Sequence, residues 1–132
     1  IFCNRVHRGE ALTVFGDGLQ TRDYVFAGDV ARANLAAATA RLTPPRQVDV
    51  RAFNIGTGRE TSVLELAETL QRAAGKKVPV NLTPARPGEL LRSSVSNEKA
   101  VRELGWHPRV SLDEGLSQTY AWFASRAPVE AT

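Results

Sequence analysis

Val14-Phe15-Gly16-Asp17-Gly18-Leu19-Gln20-Thr21-Arg22-Asp23-Tyr24-Val25-Phe26 decides how this chain is read. Leu12 to Phe15 is a short apolar run stopped by Gly16-Asp17-Gly18, which predicts a strand followed by a turn. Tyr24-Val25-Phe26 reads as a second short strand. Gln20 and Arg22 lie between the two.

Outward from this stretch the punctuation is regular. Phe2 and Val6 belong to a helix that closes at Gly9. Asp29 is placed to cap a helix running to about Arg41, filled largely by alanine. Thr43-Pro44-Pro45-Arg46-Gln47 ends it in a loop. Ala52-Phe53-Asn54-Ile55 reads as a strand stopped by Gly56-Thr57-Gly58, with Asn54 tying down a loop. Ser62-Val63-Leu64-Glu65 is a capping box. The helix it opens has Val63, Leu66, Ala67 and Leu70 on one face and stops at Gly75. Val78 to Leu82 is the next strand, and Pro79 puts it at an edge or at a strand start. Thr83 to Ser96 has no clear period. Asn97 to Leu104 is a short helix ended by Gly105. Ser111-Leu112-Asp113-Glu114 is a second capping box, opening a last helix that fades by Pro128. The order is αββαβαβαα, an α/β domain.

Composition narrows the classes. The chain has 132 residues, about one domain, and 42% of them are hydrophobic. A formal charge of +3 is a mild excess, and the basic residues form no run. A nucleic-acid partner is not expected, because it would need a clustered basic face. One cysteine, Cys3, excludes an intrachain disulfide and suits a reducing cytoplasm. His7 and His107 have no partners at metal-ligand spacing, so no metal is expected. No apolar run approaches the roughly 20 residues that span a membrane. The chain opens on Ile1-Phe2-Cys3 and contains no methionine, as expected of a piece of something longer.

The opening stretch, continued by Asp29-Val30-Ala31, resembles the substrate-domain signature of extended short-chain dehydrogenase/reductases, the nucleotide-sugar epimerases and dehydratases. Phe53-Asn54-Ile55-Gly56-Thr57-Gly58 matches a second family motif. Arg86-Pro87-Gly88-Glu89 matches a third. Lys99-Ala100 with Leu104-Gly105-Trp106-His107-Pro108 matches a fourth. Four motifs in order cover nearly the whole chain, and the pattern is closest to the UDP-glucose 4-epimerase type. Gly28 departs from it, standing at a commonly acidic position.

The resemblance implies a small mixed α/β substrate-binding domain, with residues 1–132 as the nucleotide-sugar-binding C-terminal part of a longer enzyme. Its ligand would be a UDP- or dTDP-sugar. Arg22 and Arg86 would contact the diphosphate, and Glu89 would accept from ribose hydroxyls. Val14 and Phe15 would line the base pocket by backbone contact or packing. Gln20 would bond the sugar or a phosphate. The family uses NAD, held by a Rossmann half that this chain lacks. Its catalytic Tyr has a Lys four residues on; Tyr24 is followed at that distance by Gly28 and Tyr120 by Ala124. No catalytic or cofactor-binding residue is therefore expected here, nor activity from this chain alone. The competing expectation is an inert homologue acting as a binding or oligomerisation module, self-associating through its apolar first helix.

Overall fold

The computed structural model describes residues 1–42 and 51–126. In chain order the elements are α1 (Phe2–Arg8), β1 (Leu12–Phe15), β2 (Thr21–Arg22), α2 (Ala27–Thr39), β3 (Thr61–Ser62), α3 (Val63–Ala74), β4 (Val80–Thr83), α4 (Glu98–Leu104) and α5 (Leu112–Ala124). The expected loop at Thr43–Gln47 and the fading at Pro128 lie outside the described residues.

Two serines open helices as their context predicts. Ser62 Oγ accepts the Glu65 amide at 3.1 Å, and Ser111 Oγ accepts the Glu114 amide at 3.2 Å. Each cap satisfies an orphan amide of the first turn and contributes about 1 kcal/mol. The return half of each box does not form. Glu65 takes an ion pair with Arg59 at 2.6 Å, and Glu114 accepts from Gln118 at 3.2 Å.

Leu12 and Val14 of β1 point inward, at 0% and 1% exposure. Strand β1 pairs with β4 in parallel, from Leu12 opposite Val80 to Phe15 opposite Thr83. Pro79 sits just before β4 and serves the ladder with its carbonyl, which accepts the Leu12 amide at 2.8 Å. Around β1 close α1, α3 and α5, burying Val6, Leu12, Ala67, Leu70, Val78 and Tyr120 together. Burying a side chain such as Leu70 is worth about 1.5–3 kcal/mol. Cys3 packs against this cluster half-buried, and burial pushes its thiol pKa up. A second cluster of Ala33, Ala100 and Trp106 lies between α2 and α4, with Phe53 and Ile55 against it.

The order of elements is the expected one, but β2 and β3 fall elsewhere. Tyr24–Phe26 is not a strand. The strand is Thr21–Arg22, paired antiparallel with Thr61–Ser62. Asp23 is the reason: its carboxylate accepts the amides of Thr57 and Gly58 at 2.8 and 2.9 Å, so a side chain bridges where a ladder would run. Ala52–Ile55 is not a strand either, and its Phe53 and Ile55 act as wedges into the second cluster. Asp29 does not cap α2. Phe26 is the N-cap residue, without a side-chain bond, and Asp29 sits in the first turn.

Candidate functional site

The site is built at the C-terminal end of β1. Phe15 ends the strand, and the turn behind it needs glycine at Gly18. Its φ is +74°, and a Cβ there would lie 2.5 Å from Leu64 Cγ. Asp17 Oδ1 accepts the Leu19 amide at 2.9 Å, which tightens the turn. Gln20 then folds inward at 7% exposure, and its Nε2 donates to the Phe15 carbonyl at 2.9 Å.

A second segment lies over this turn. Arg86-Pro87-Gly88-Glu89 is a β-turn, closed by the Glu89 amide donating to the Arg86 carbonyl at 3.3 Å. Proline at the second position and glycine with φ +77° at the third are what a type II turn requires. The turn sends Arg86 and Glu89 out from its two ends. The Arg86 guanidinium carbon sits 3.8 Å over the centre of the Phe15 ring. Arg22 reaches the same segment from β2. Its Nη1 donates to the Leu90 carbonyl at 2.8 Å, and its Nη2 lies 3.7 Å from Glu89 Oε1. The Thr21 amide donates to the Leu91 carbonyl at 2.8 Å. Arg92 Nε donates to both oxygens of Glu60 at 3.1 Å, and this bond holds the Glu60 carboxyl below its ordinary range.

Phe15, Arg22, Arg86 and Glu89 are thus brought together from three segments. Arg22 pairs with Glu89 and Arg86 has no acid partner within 4.0 Å among the described residues, so the cluster carries an excess positive charge suited to an anion. Glu89 meets Arg22 through one oxygen, Oε1, at 3.7 Å. Val14 turns its side chain into the core, at 1% exposure, and its carbonyl accepts from Thr83 Oγ1 at 3.2 Å. Gln20 is buried with its amide nitrogen on the Phe15 carbonyl. Strand pairing brings in one residue more. The even-numbered residues of β1 bond β4, so the peptide groups of Thr13 and Phe15 face the opposite edge. An apolar cleft of about 280 Å³ between α5, Leu66 and residues 24–27 has no charged side chain in its lining and does not suit a diphosphate.

The sequence pattern of the GDP-mannose 4,6 dehydratase family matches residues 2–119. The chain belongs to this epimerase/dehydratase family. A UDP-glucose 4-epimerase of Mycolicibacterium smegmatis is 38% identical over 127 residues, 96% of this chain and 39% of that protein. The crystal structure of a UDP-glucose 4-epimerase from Thermotoga maritima with UDP-glucose matches at TM-score 0.80 and 43% identity, over 92% of this chain and 37% of that one. A UDP-glucuronic acid 4-epimerase from Bacillus cereus, in complex with UDP-glucuronic acid and NAD, matches at TM-score 0.82 and 30% identity, over 92% and 37%. The chain spans about a third of the length of the curated relatives it matches.

Epimerases of this family are found with NAD. A dinucleotide cradle needs free backbone amides at a helix N-terminus. The Thr57 and Gly58 amides are taken by Asp23, and the Gly16–Gly18 turn leads into β2 rather than a helix. Neither of these two turns fits NAD. Among the described residues no helix is long and apolar enough to cross a membrane, and no group of three ligating side chains could hold a metal.

Two carboxylates hold distant backbone amides that the sequence reading did not assign to them. Burial pushes the Asp23 carboxyl up, but hydrogen bonds from Thr57 and Gly58 outweigh it and leave it below its ordinary value. Asp29 behaves alike. Burial is again opposed, here by the amides of Val110 and Arg109 and by Arg32, and the net shift is downward. The Trp106 indole also donates to the Asp29 carbonyl, at 2.8 Å. The loop expected to be tied by Asn54 is tied by Asn97, whose Nδ2 donates to the Gly56 carbonyl at 2.7 Å. Each acid precedes by decades of residues the amides it bonds, so no local pattern reveals the pairing.

Proposed function

We propose that this chain holds the nucleoside diphosphate of a nucleotide sugar, a UDP- or dTDP-sugar, for an NAD-dependent epimerase or dehydratase. The convergence of Arg22 and Arg86 on one turn beside β1 carries the reading. The phosphates sit between the two guanidiniums, and the β1 edge turned away from β4, at the Thr13 peptide group and the Phe15 amide, takes the hydrogen-bonding edge of the base. Glu89 is shared between Arg22 and the ribose. NAD and the reacting groups belong to the rest of a longer protein, where hydride leaves the sugar for NAD. The share of this chain is positioning: remote binding energy orients the reacting carbon.

Calorimetric titration of the chain with UDP, dTDP and UDP-glucose tests this. Micromolar to millimolar binding that Arg86→Ala weakens tenfold or more is expected, as is the absence of turnover by the chain alone. A folded chain that takes up none of the three overturns the proposal.

A further inference from the structure

We infer that Asp23 is a positioning residue for Arg22, fastening the far end of the segment from Glu89 to Asn97 whose near end Arg22 holds. The inference rests on the nucleotide-sugar reading and adds to it a residue that acts through Arg22 rather than on the ligand.

Arg22 and Asp23 follow one another in the chain, and each grips one end of the same segment. At the near end, Arg22 Nη1 donates to the Leu90 carbonyl at 2.8 Å, beside the Thr21 amide on the Leu91 carbonyl at 2.8 Å. The far end is reached through the Gly56–Gly58 turn. Asp23 Oδ1 accepts the Thr57 amide at 2.8 Å and the Thr57 hydroxyl at 2.6 Å, and its Oδ2 accepts the Gly58 amide at 2.9 Å. From the segment, Asn97 Nδ2 donates to the Gly56 carbonyl of the same turn at 2.7 Å. Val95 closes on the same spot. A Cβ at Gly56 would lie 2.6 Å from Asp23 Oδ2 and 2.5 Å from Val95 Cγ2, so only glycine lets carboxylate, turn and segment meet. The bonds make a closed ring: Arg22 to Leu90, along the chain to Asn97, across to Gly56, and back through Asp23.

The ring leaves Arg22 a defined set of donors. Its Nη1 is spent on the Thr21 and Leu90 carbonyls, at 2.7 and 2.8 Å, and Glu89 Oε1, at 3.7 Å, is beyond hydrogen-bond reach of Nη2. Nη2 and Nε remain for a phosphate. Where they point depends on where Leu90 is held, and Leu90 belongs to the segment that Asp23 fastens. Asp23 does this without quenching the site. Its bonds go to amides and a hydroxyl, and among the described residues it forms no ion pair within 4.0 Å. A carboxylate is needed because each of these amides can only donate. An asparagine would turn its own NH₂ towards one of them. Fixing the Arg22 donors in advance removes part of the entropy that binding would otherwise cost.

The test titrates wild type and Asp23→Asn with uridine, UDP and inorganic pyrophosphate by NMR, well below the melting temperature of either. Asp23→Asn is expected to weaken UDP and pyrophosphate together by about three- to tenfold, and to leave uridine unchanged. In an Arg22→Ala background that loss disappears, because both changes act through one group. Hydrogen exchange of the Thr21 amide, bonded to the Leu91 carbonyl, speeds up in Asp23→Asn more than that of the Leu12 amide, bonded to the Pro79 carbonyl. Thr57→Val, which removes only the hydroxyl bond, serves with the same expected profile if Asp23→Asn does not fold. Lower melting with UDP and pyrophosphate affinity unchanged makes Asp23 a fastener of the fold alone and overturns the inference. A loss that persists in the Arg22→Ala background, or one that uridine shares, overturns it too. Failure of the nucleotide-sugar reading looks different: wild type itself binds neither UDP nor pyrophosphate, and the inference falls with it.

Discussion

Asp29 and Arg86 are both charged, and the protein treats them in opposite ways. Asp29 is 1% exposed, and its carboxylate is saturated: it accepts the amides of Arg109 and Val110 at 2.8 and 3.1 Å and pairs with Arg32. Arg86 is exposed, and its guanidinium lies against the Phe15 ring. A buried charge survives only if its partners are all supplied internally, so Asp29 is a fastener with no capacity left. A charge at the surface keeps its water and can exchange it for a ligand. The difference separates structural from binding charge better than residue type does.

The largest expected effect breaks the fastener. Asp29→Ala leaves the Arg109 and Val110 amides without their acceptor, and about 3–5 kcal/mol of stability should be lost in denaturant melts. Acid should do the same gradually. The Asp29 and Asp23 carboxyls are held below their ordinary value, so their contribution is complete above the unfolded value near about 4 and disappears as pH falls through the lower folded values. Melting temperature should drop in that window for wild type and drop less steeply in Asp29→Asn. An identical slope would remove Asp29 from the account.

Next comes the other side of the comparison. Arg86→Ala should cost tenfold or more in UDP affinity, about 1.4 kcal/mol, with melting nearly unchanged. If melting falls as far as in Asp29→Ala, Arg86 is a fastener too. Ser62→Ala should cost about 1 kcal/mol by removing the cap of α3, seen in the same melts without loss of UDP affinity. The smallest effect is on the half-exposed Arg22–Glu89 pair, 3.7 Å apart. Glu89→Gln should change stability by less than about 0.5 kcal/mol, and a larger loss would mean that this pair, not the backbone bonds to Leu90 and Leu91, fastens the turn.

Helices were the legible part of the fold because their signals are local. Ser62 and Ser111 bond the amides three residues on, and Gly9, Gly75 and Gly105 end α1, α3 and α4 in left-handed conformations. Strand β1 was legible from its apolar run. Strands β2 and β3 were not, since two residues each carry no periodicity, and their pairing depends on what Asp23 bonds 34 positions away. In the site, Arg22 and Arg86 were named as diphosphate contacts and Glu89 as a ribose acceptor, all three through the family resemblance. The inward turn of Val14 and Gln20 was not legible.

By itself the sequence determined the α/β class, the order of the elements and the family. These follow from propensities, caps and motifs that act within a few residues. Only the tertiary structure decided which charges are spent and which are open. Asp29 meets its amides 80 and 81 positions on, and Arg22 meets Leu90 across 68. Hydrogen-bond partners at such separations are chosen by packing, because a buried donor or acceptor takes whatever the fold brings within reach.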